Sequence, residues 1–336
     1  MLAYTAEMVE NNREADRFEL SRRQAIGGFA VGATAAWAAP TILTLDAAAA
    51  ASLVPLSPVG LGGGLQNFST ADALSNWMYT ADGGDTWTAA VTPPPFAPVL
   101  LAGQGLDAVT MDTTGDYRRT VDGGVTWSSP TAPPLFVATA ISQSGAIVAG
   151  PTDAFAFTTD GGDNWTAPTT PPGLTALLLT GTGTSALTMS AAGTYSHTTN
   201  SGADWSTPTI PPSFTATVLA GGGTNFVATD GSSYEFSSNG GLTFGPSTAE
   251  PPFVAALISG SGLDFVATSG GTWALSSDGG DNWSLAAGPV PAFVPTFLAG
   301  SGGLTFVAAD AGGNWAFSLD GGNTWVTPAT PPQILL

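Results

Sequence analysis

Between Phe253 and Leu285 the chain falls into four short blocks with glycine-rich breaks between them. Phe253-Val254-Ala255-Ala256-Leu257-Ile258 is a continuous apolar run, the pattern of a strand buried on both faces. Ser259-Gly260-Ser261-Gly262 predicts a turn, Asp264 to Thr268 a second strand and Gly270-Gly271 a second turn. Trp273-Ala274-Leu275-Ser276 alternates as a third strand, and Asn282 to Leu285 completes a fourth. Proline pairs such as Pro211-Pro212 and Pro251-Pro252 separate such groups. Proline has no N–H to donate to a ladder, so these pairs belong to crossovers.

The unit recurs. Seven copies of Ser/Thr-x-Asp/Asn-x-Gly-x-x-Trp/Phe stand 38 to 42 residues apart, anchored at Asp82, Asp122, Asp160, Asn200, Asn239, Asp278 and Asp320. A fixed period of this length is the signature of a repeat architecture. Seven unbroken units of four antiparallel strands predict an all-β fold, a seven-bladed β-propeller over residues 52–330. Leu53-Val54-Pro55 aligns with Phe293-Val294-Pro295, so the first unit is expected to begin its own innermost strand there. Pro331-Pro332 opens an incomplete eighth unit, and residues 331–336 form a tail that either closes the ring or adds nothing to it.

Five residues before each motif Asp or Asn stands an aromatic: Trp77, Tyr117, Phe155, Tyr195, Tyr234, Trp273 and Trp315. Two residues later come Tyr79, Arg119, Phe157, His197, Phe236, Leu275 and Phe317. Positions i and i+2 of a strand share a face. One such stripe in every unit fits core between neighbouring sheets better than a sugar-stacking platform. Arg119 and His197 break it and are candidate functional positions. The plainer reading makes them satisfied polar residues between blades, with Arg119 paired to a carboxylate because an unpaired buried charge is costly.

Charge narrows the partners. There is no Lys, and four of the six Arg lie in the first 23 residues. From Ser52 onward two arginines face 19 acids, a formal charge of −17. This charge nearly excludes nucleic acid as a partner and disfavours anionic lipid. The absence of Cys removes thiol catalysis and thiolate metal sites, and a single His, His197, removes a multi-histidine cluster. Ser21-Arg22-Arg23-Gln24-Ala25-Ile26 opens an apolar run that ends in Ala47 to Ala51. This resembles a twin-arginine export signal, which implies removal of residues 1–51 and a secreted or cell-envelope protein with no membrane span after processing.

The motif itself resembles the Asp-box (BNR) repeat of sialidases, other glycosidases and photosystem II assembly-factor propellers, over Leu53 to about Thr330. The resemblance implies the fold and leaves the activity open. A short acidic side chain in a hairpin accepts hydrogen bonds from the turn's own N–H groups, and Gly84 and its six counterparts supply positive φ. The motif Trp residues, with Phe244 in the fifth unit, are expected to pack over the turn. Asp82 with Asp85, or Asp278 with Asp281, offers calcium two carboxylates, too few for a cage of six to eight oxygens, so no metal or cofactor is expected.

Loops between second and third strands open on the same face as the crossovers. Asp72, Asp112, Asp116, Asp153, Asp230 and Asp310 lie there, with Glu250 in a crossover. They form either an acidic rim for a cation or basic partner, or ordinary turn-forming acids. A sialidase needs an arginine cluster, and Arg118 and Arg119, adjacent on a strand, point to opposite faces. Three functions remain: a non-catalytic propeller binding a glycan, peptide or protein, a glycoside hydrolase or lyase using two loop carboxylates, and an assembly factor like those of photosystem II. No catalytic residue is singled out. The last family carries a basic patch that this chain lacks.

Overall fold

The computed structural model describes residues 53–300 and 303–335, and the expected export segment lies outside them. Every named element is a strand. Seven antiparallel sheets follow one another along the chain, each with its strands in sequence order from the inner edge outward. The first comprises Gly60–Gly64, Asn67–Ala71, Trp77–Thr80 and Thr88–Ala89. The other inner strands are Leu100–Gln104, Ala140–Ile141, Leu178–Thr182, Val218–Gly222, Leu257–Ser261 and Phe297–Ala299. Each touches the next, and Phe297–Ala299 touches Gly60–Gly64, so the sheets form a closed ring. The protein is a β-propeller.

Among the described residues, four full strands occur only in the first, fifth and sixth sheets. In the second, third, fourth and seventh the outer segment shrinks to one antiparallel bridge, at Ser128, Thr166, Ser206 and Val326. Two residues beyond each bridge stand Pro130, Pro168, Pro208 and Pro328. In the complete sheets that position is Ala90, Ser247 or Ala286, whose N–H donates to Trp77, Tyr234 or Trp273. Proline cannot make that bond, and the strand stops.

The inner strand of the sixth sheet starts at Leu257 rather than Phe253, and Ser259-Gly260-Ser261 belongs to it rather than to a turn. The apolar run from Phe253 is the crossover, pinned to the preceding sheet. Tyr234 Oη donates to Phe253 O at 3.0 Å and accepts Ala255 N–H at 2.9 Å. Phe253 and Ala255 pack with Val227, Tyr234 and Phe265, so alternate residues of the run wedge between sheets while Val254 faces water.

The seam corrects the first unit as well. Leu53–Pro55 is not its inner strand; it pairs antiparallel with Gln333–Leu335. Leu56 N–H donates to Pro332 O at 2.9 Å, and Trp315 Nε1–H to Leu56 O at 3.2 Å. Leu56 is fully buried and occupies the wedge position that Phe253 and Phe293 hold elsewhere. The tail therefore closes the ring, with Ile334 packed on the cluster of Leu56, Phe68, Trp87 and Trp315.

The repeated motif ties sheet to sheet. Within the third, Asp160 accepts the backbone N–H of Asp163 and Asn164 at 3.0 Å and the Asn164 side-chain amide at 2.8 Å. Trp165 Nε1–H closes the turn on Gly162 O at 2.9 Å. The Trp165 backbone N–H then donates to Ala132 O in the preceding crossover, and the other six motifs repeat this bond. The motif ring packs at a tilt against the third-strand aromatic of the preceding sheet, as in Trp77–Trp127 at 5.0 Å and Trp273–Trp325 at 4.6 Å. The aromatic stripe is core. Gly84, at φ 108°, approaches the previous sheet so closely that a Cβ would lie 2.9 Å from Phe317 Cβ and Val307 Cγ2.

The backbone N–H of Asn164, then its side-chain amide, hold the Asp160 carboxyl down at about 2. Its contribution is full above the ordinary carboxylate value of 3.8 and fades as pH falls toward 2. Asp160→Ala should cost about 1 kcal/mol in urea denaturation at pH 7. Asp160→Asn should cost much less, because Asn200 and Asn239 make the same backbone bond. Equal losses for the two variants would contradict this role.

Candidate functional site

Strand alternation puts the second-to-third-strand loops and the entries to the inner strands at one end of the ring, where Gly60 pairs with Ala71. The sequence candidates lie on this crossover face. Asp72 Oδ1 accepts Leu74 N–H and Asn76 N–H, both at 2.9 Å, and Oδ2 accepts the Asn76 amide at 2.7 Å. Asp112 binds Thr114 N–H and Asp116 N–H. Asp230 binds Ser232 N–H and Ser233 N–H, and Asp310 binds Gly312 N–H and Asn314 N–H. Asp153 sits at φ 62° and accepts Thr175 Oγ1–H at 2.8 Å. Glu250 accepts Tyr234 N–H at 3.1 Å, and Asp116 holds Arg118 through both oxygens at 2.8 and 2.9 Å.

Each of these carboxylates is engaged by its own loop or by a neighbouring segment of the chain. Asp112 and Asp116 share one loop, where Asp112 accepts the Asp116 backbone N–H and Asp116 pairs with Arg118. Among the described residues no three His, Cys, Asp or Glu side chains gather closely enough to hold a metal ion. At Asp230 the Ser232 N–H leads in pushing the carboxyl below its ordinary value. At Asp112 burial acts upward but is outweighed by N–H and hydroxyl donors from Thr114 to Asp116. Carboxyls held low are poor general acids near neutral pH. Asp107 and Asp264, where burial raises the carboxyl, open second strands at the opposite end of the ring.

The second motif acids also have employment. Asp85 Oδ1 accepts Ala329 N–H, and Asp281 Oδ1 accepts Thr248 N–H, each from the preceding crossover. Asp163 does the same for Thr131 N–H at 2.9 Å and pairs with Arg119 at 3.1 Å. Arg119 therefore bridges the second and third sheets. His197 is buried, with Nε2 3.1 Å from Ser206 Oγ in its own sheet.

Sequence reasoning did not single out the residues that line the central channel. Leu61, Leu101, Ile141, Leu179, Leu219, Ile258 and Leu298, one per sheet, line a central cavity of about 240 Å³. Two residues further along each inner chain stand Gly63, Gly103, Gly181, Gly221, Gly260 and Gly300, but Gln143 in the third unit. A Cβ at any of the six glycines would lie within 2.6 Å of its own hairpin partner. The third hairpin is two residues shorter: Ser142 N–H bonds Ile147 O where Thr180 pairs with Leu187. That relief admits a side chain. Gln143 Nε2–H reaches across the channel to Gly300 O and lies 3.4 Å from Ser259 Oγ. The 38-residue interval from Asp122 to Asp160, the shortest of the series, was the available signal.

No protein-family model and no curated protein matches the chain. Solved structures do. PorZ, a surface component of the type-IX secretion system of Porphyromonas gingivalis, aligns with a TM-score of 0.56 at 10% identity, over 84% of this chain and 39% of that one. Yeast RCC1 (Prp20), in complex with Kap60, aligns at 0.55 and 7% identity over 78% and 79%. YCF48 from Cyanidioschyzon merolae aligns at 0.49 and 20% identity over 71% and 87%, too loosely to carry an argument. The likeness is one of fold.

Burial pushes the His197 imidazole below its ordinary 6.5, opposed by the Gly240 carbonyl. The fold therefore favours the neutral ring. Stability is full above pH 6.5 and falls as pH drops toward the folded value, because the unfolded chain takes the proton first. His197→Phe, restoring the residue found at Phe157 and Phe317, should flatten the melting temperature between pH 7.5 and 5. An unchanged slope would contradict this.

Proposed function

We propose that the chain is a non-catalytic Asp-box propeller, exported by a twin-arginine route, that binds a protein or peptide partner on its crossover face. The observation carrying this reading is that the face's carboxylates are occupied by their own loops while large apolar side chains stand free. Leu135 is 100% exposed and Leu74 75% exposed, and Val99, Leu177, Val254 and Val294 are exposed around the ring entrance. Apolar groups left in water on a rigid rim are what a polypeptide partner covers. The formal charge of −17 from Ser52 onward favours a neutral or basic partner. The fold is compatible with such a role, since RCC1 is a propeller seen bound to Kap60.

A hydrolase reading requires one carboxyl held protonated near another that is ionised. The depressed Asp112 and Asp230 carboxyls do not favour it.

Crosslinking of the tagged protein in its own cell envelope should capture a partner. Leu74→Asp with Leu135→Asp should abolish capture and leave the melting temperature within a few degrees, since both side chains are in water. A glycan array and hydrolysis assay on the same preparation should be silent. Selective glycan binding, turnover, or capture unaffected by the double variant would contradict the proposal.

A further inference from the structure

On each third strand, the residue between the two stripe positions faces the preceding sheet. Long side chains fill this position in the first, second and fifth sheets, as Met78, Arg118 and Glu235, and the other four carry alanine or serine. Alanine coincides with a truncating proline in two sheets, Ala156 with Pro168 in the third and Ala316 with Pro328 in the seventh. Surface cavities of about 400 and 410 Å³ lie beside those two alanines.

The second sheet shows what such a space holds. The Arg118 guanidinium carbon lies 6.0 Å from the centre of the Phe96 ring. Nη1 donates to Tyr117 O at 3.2 Å and to Ser129 Oγ, and Asp116 accepts from both Nη1 and Nη2. Tyr117 O is the acceptor that Pro130 leaves without a backbone donor, so the guanidinium replaces the lost strand bond.

The third sheet has a like seat without the arginine. Phe136 stands in its crossover where Phe96 stands in the one before, and half-buried Trp165 forms a second aromatic wall. The Phe155 ring is turned into the next interface, 5.5 Å from Trp205, so the cavity meets its backbone. Ala154 O accepts Gly150 N–H and Thr158 N–H donates to Ala146 O on the inner side, while Phe157 pairs outward with Thr166. Alternation therefore turns Phe155 O outward toward Pro168, where it accepts no hydrogen bond among the described residues. Asp153 also lines the cavity, with only Oδ1 engaged, by the Thr175 hydroxyl. In the seventh sheet Asn314 lines the corresponding cavity and no acid does.

We propose that the third-sheet cavity is a guanidinium seat that receives an arginine side chain of the partner. The inference rests on the reading that a polypeptide covers the crossover face, and fully exposed Leu135 belongs to the cavity's own wall. The guanidinium lies against Phe136 and Trp165, donates to Phe155 O and meets the Asp153 carboxylate. The formal charge of −17 from Ser52 onward draws such a cation in. Lysine fits less well, because an ammonium has neither the flat face nor the fork of donors. The seventh-sheet cavity offers the aromatic walls without the carboxylate and binds more weakly.

NMR titration of the full-length protein with N-acetyl-arginine amide tests the seat, with the lysine and citrulline analogues alongside. Saturable shifts at Phe155, Ala156 and Trp165 are expected, with both analogues at least about threefold weaker. Ala156→Arg recreates the second-sheet arrangement and should abolish binding. Asp153→Asn covers the case in which that variant does not fold. Asparagine tolerates the φ of 62° there, and the loss of charge should weaken arginine binding by about threefold. Absence of saturable binding, equal binding of citrulline, or arginine binding unchanged in the variants would overturn the proposal. Partner capture separates this claim from the one it rests on. Capture lost in Leu74→Asp with Leu135→Asp but intact in Ala156→Arg would overturn the arginine seat alone. If no partner is captured at all, the polypeptide reading fails, and the titration still decides whether the seat exists.

Discussion

The structure depends on one hydrogen-bonded turn made seven times. A motif carboxylate or carboxamide gathers the N–H groups of its own hairpin, and that fixes where the following aromatic sits. The aromatic's backbone N–H then reaches the crossover of the preceding sheet, and its ring packs against that sheet's third strand. A single sheet of three or four short strands cannot bury its own faces. Joined through these turns, the sheets share cores such as Leu187, Tyr195, Phe226 and Phe244. The same residue type thus serves local geometry and ring assembly.

This explains why so acidic a chain shows so few free acids. The Asx loops at Asp72, Asp112, Asp230 and Asp310 use their carboxylates as turn braces, and Asp85, Asp163 and Asp281 use theirs as ties to the preceding crossover. Ionisable groups engaged this way stabilise loops and are withdrawn from proton transfer. What the crossover face retains for recognition is shape, exposed aliphatic side chains and a negative field.

Much of the fold was legible because the motif carries its own spacing. The third-strand aromatics, the motif turns and the glycines could be read from period and residue type alone. Three features escaped for physical reasons. Phe253 to Ala256 reads as a buried strand because the wedge residues Phe253 and Ala255 are interleaved with apolar Val254 and Ala256, which face water. Leu56 took the place expected for Leu53 because the seam is closed by two chain segments with no internal copy to align with. Gln143 went unnoticed because its meaning lies in six glycines elsewhere, each barred from carrying a side chain by its own hairpin. The prolines that cut short four outer strands, by contrast, were visible and undervalued: Pro130 differs from Ala90 by one missing donor. Residue type alone does not say whether an acid such as Asp72 faces solvent or its own backbone.

The central claim is that the sheets behave as one closed ring locked at the seam by Leu53–Pro55 and Gln333–Leu335. Hydrogen exchange on the intact chain and on a chain ending at Pro332 tests it most directly. The intact ring should protect all seven inner strands to a common level, as one cooperative unit. Loss of the last four residues should release the amides of Gly60–Gly64 and Phe297–Ala299 first, with the opposite side of the ring least affected. Uniform protection unchanged by the truncation would contradict the closed-ring account.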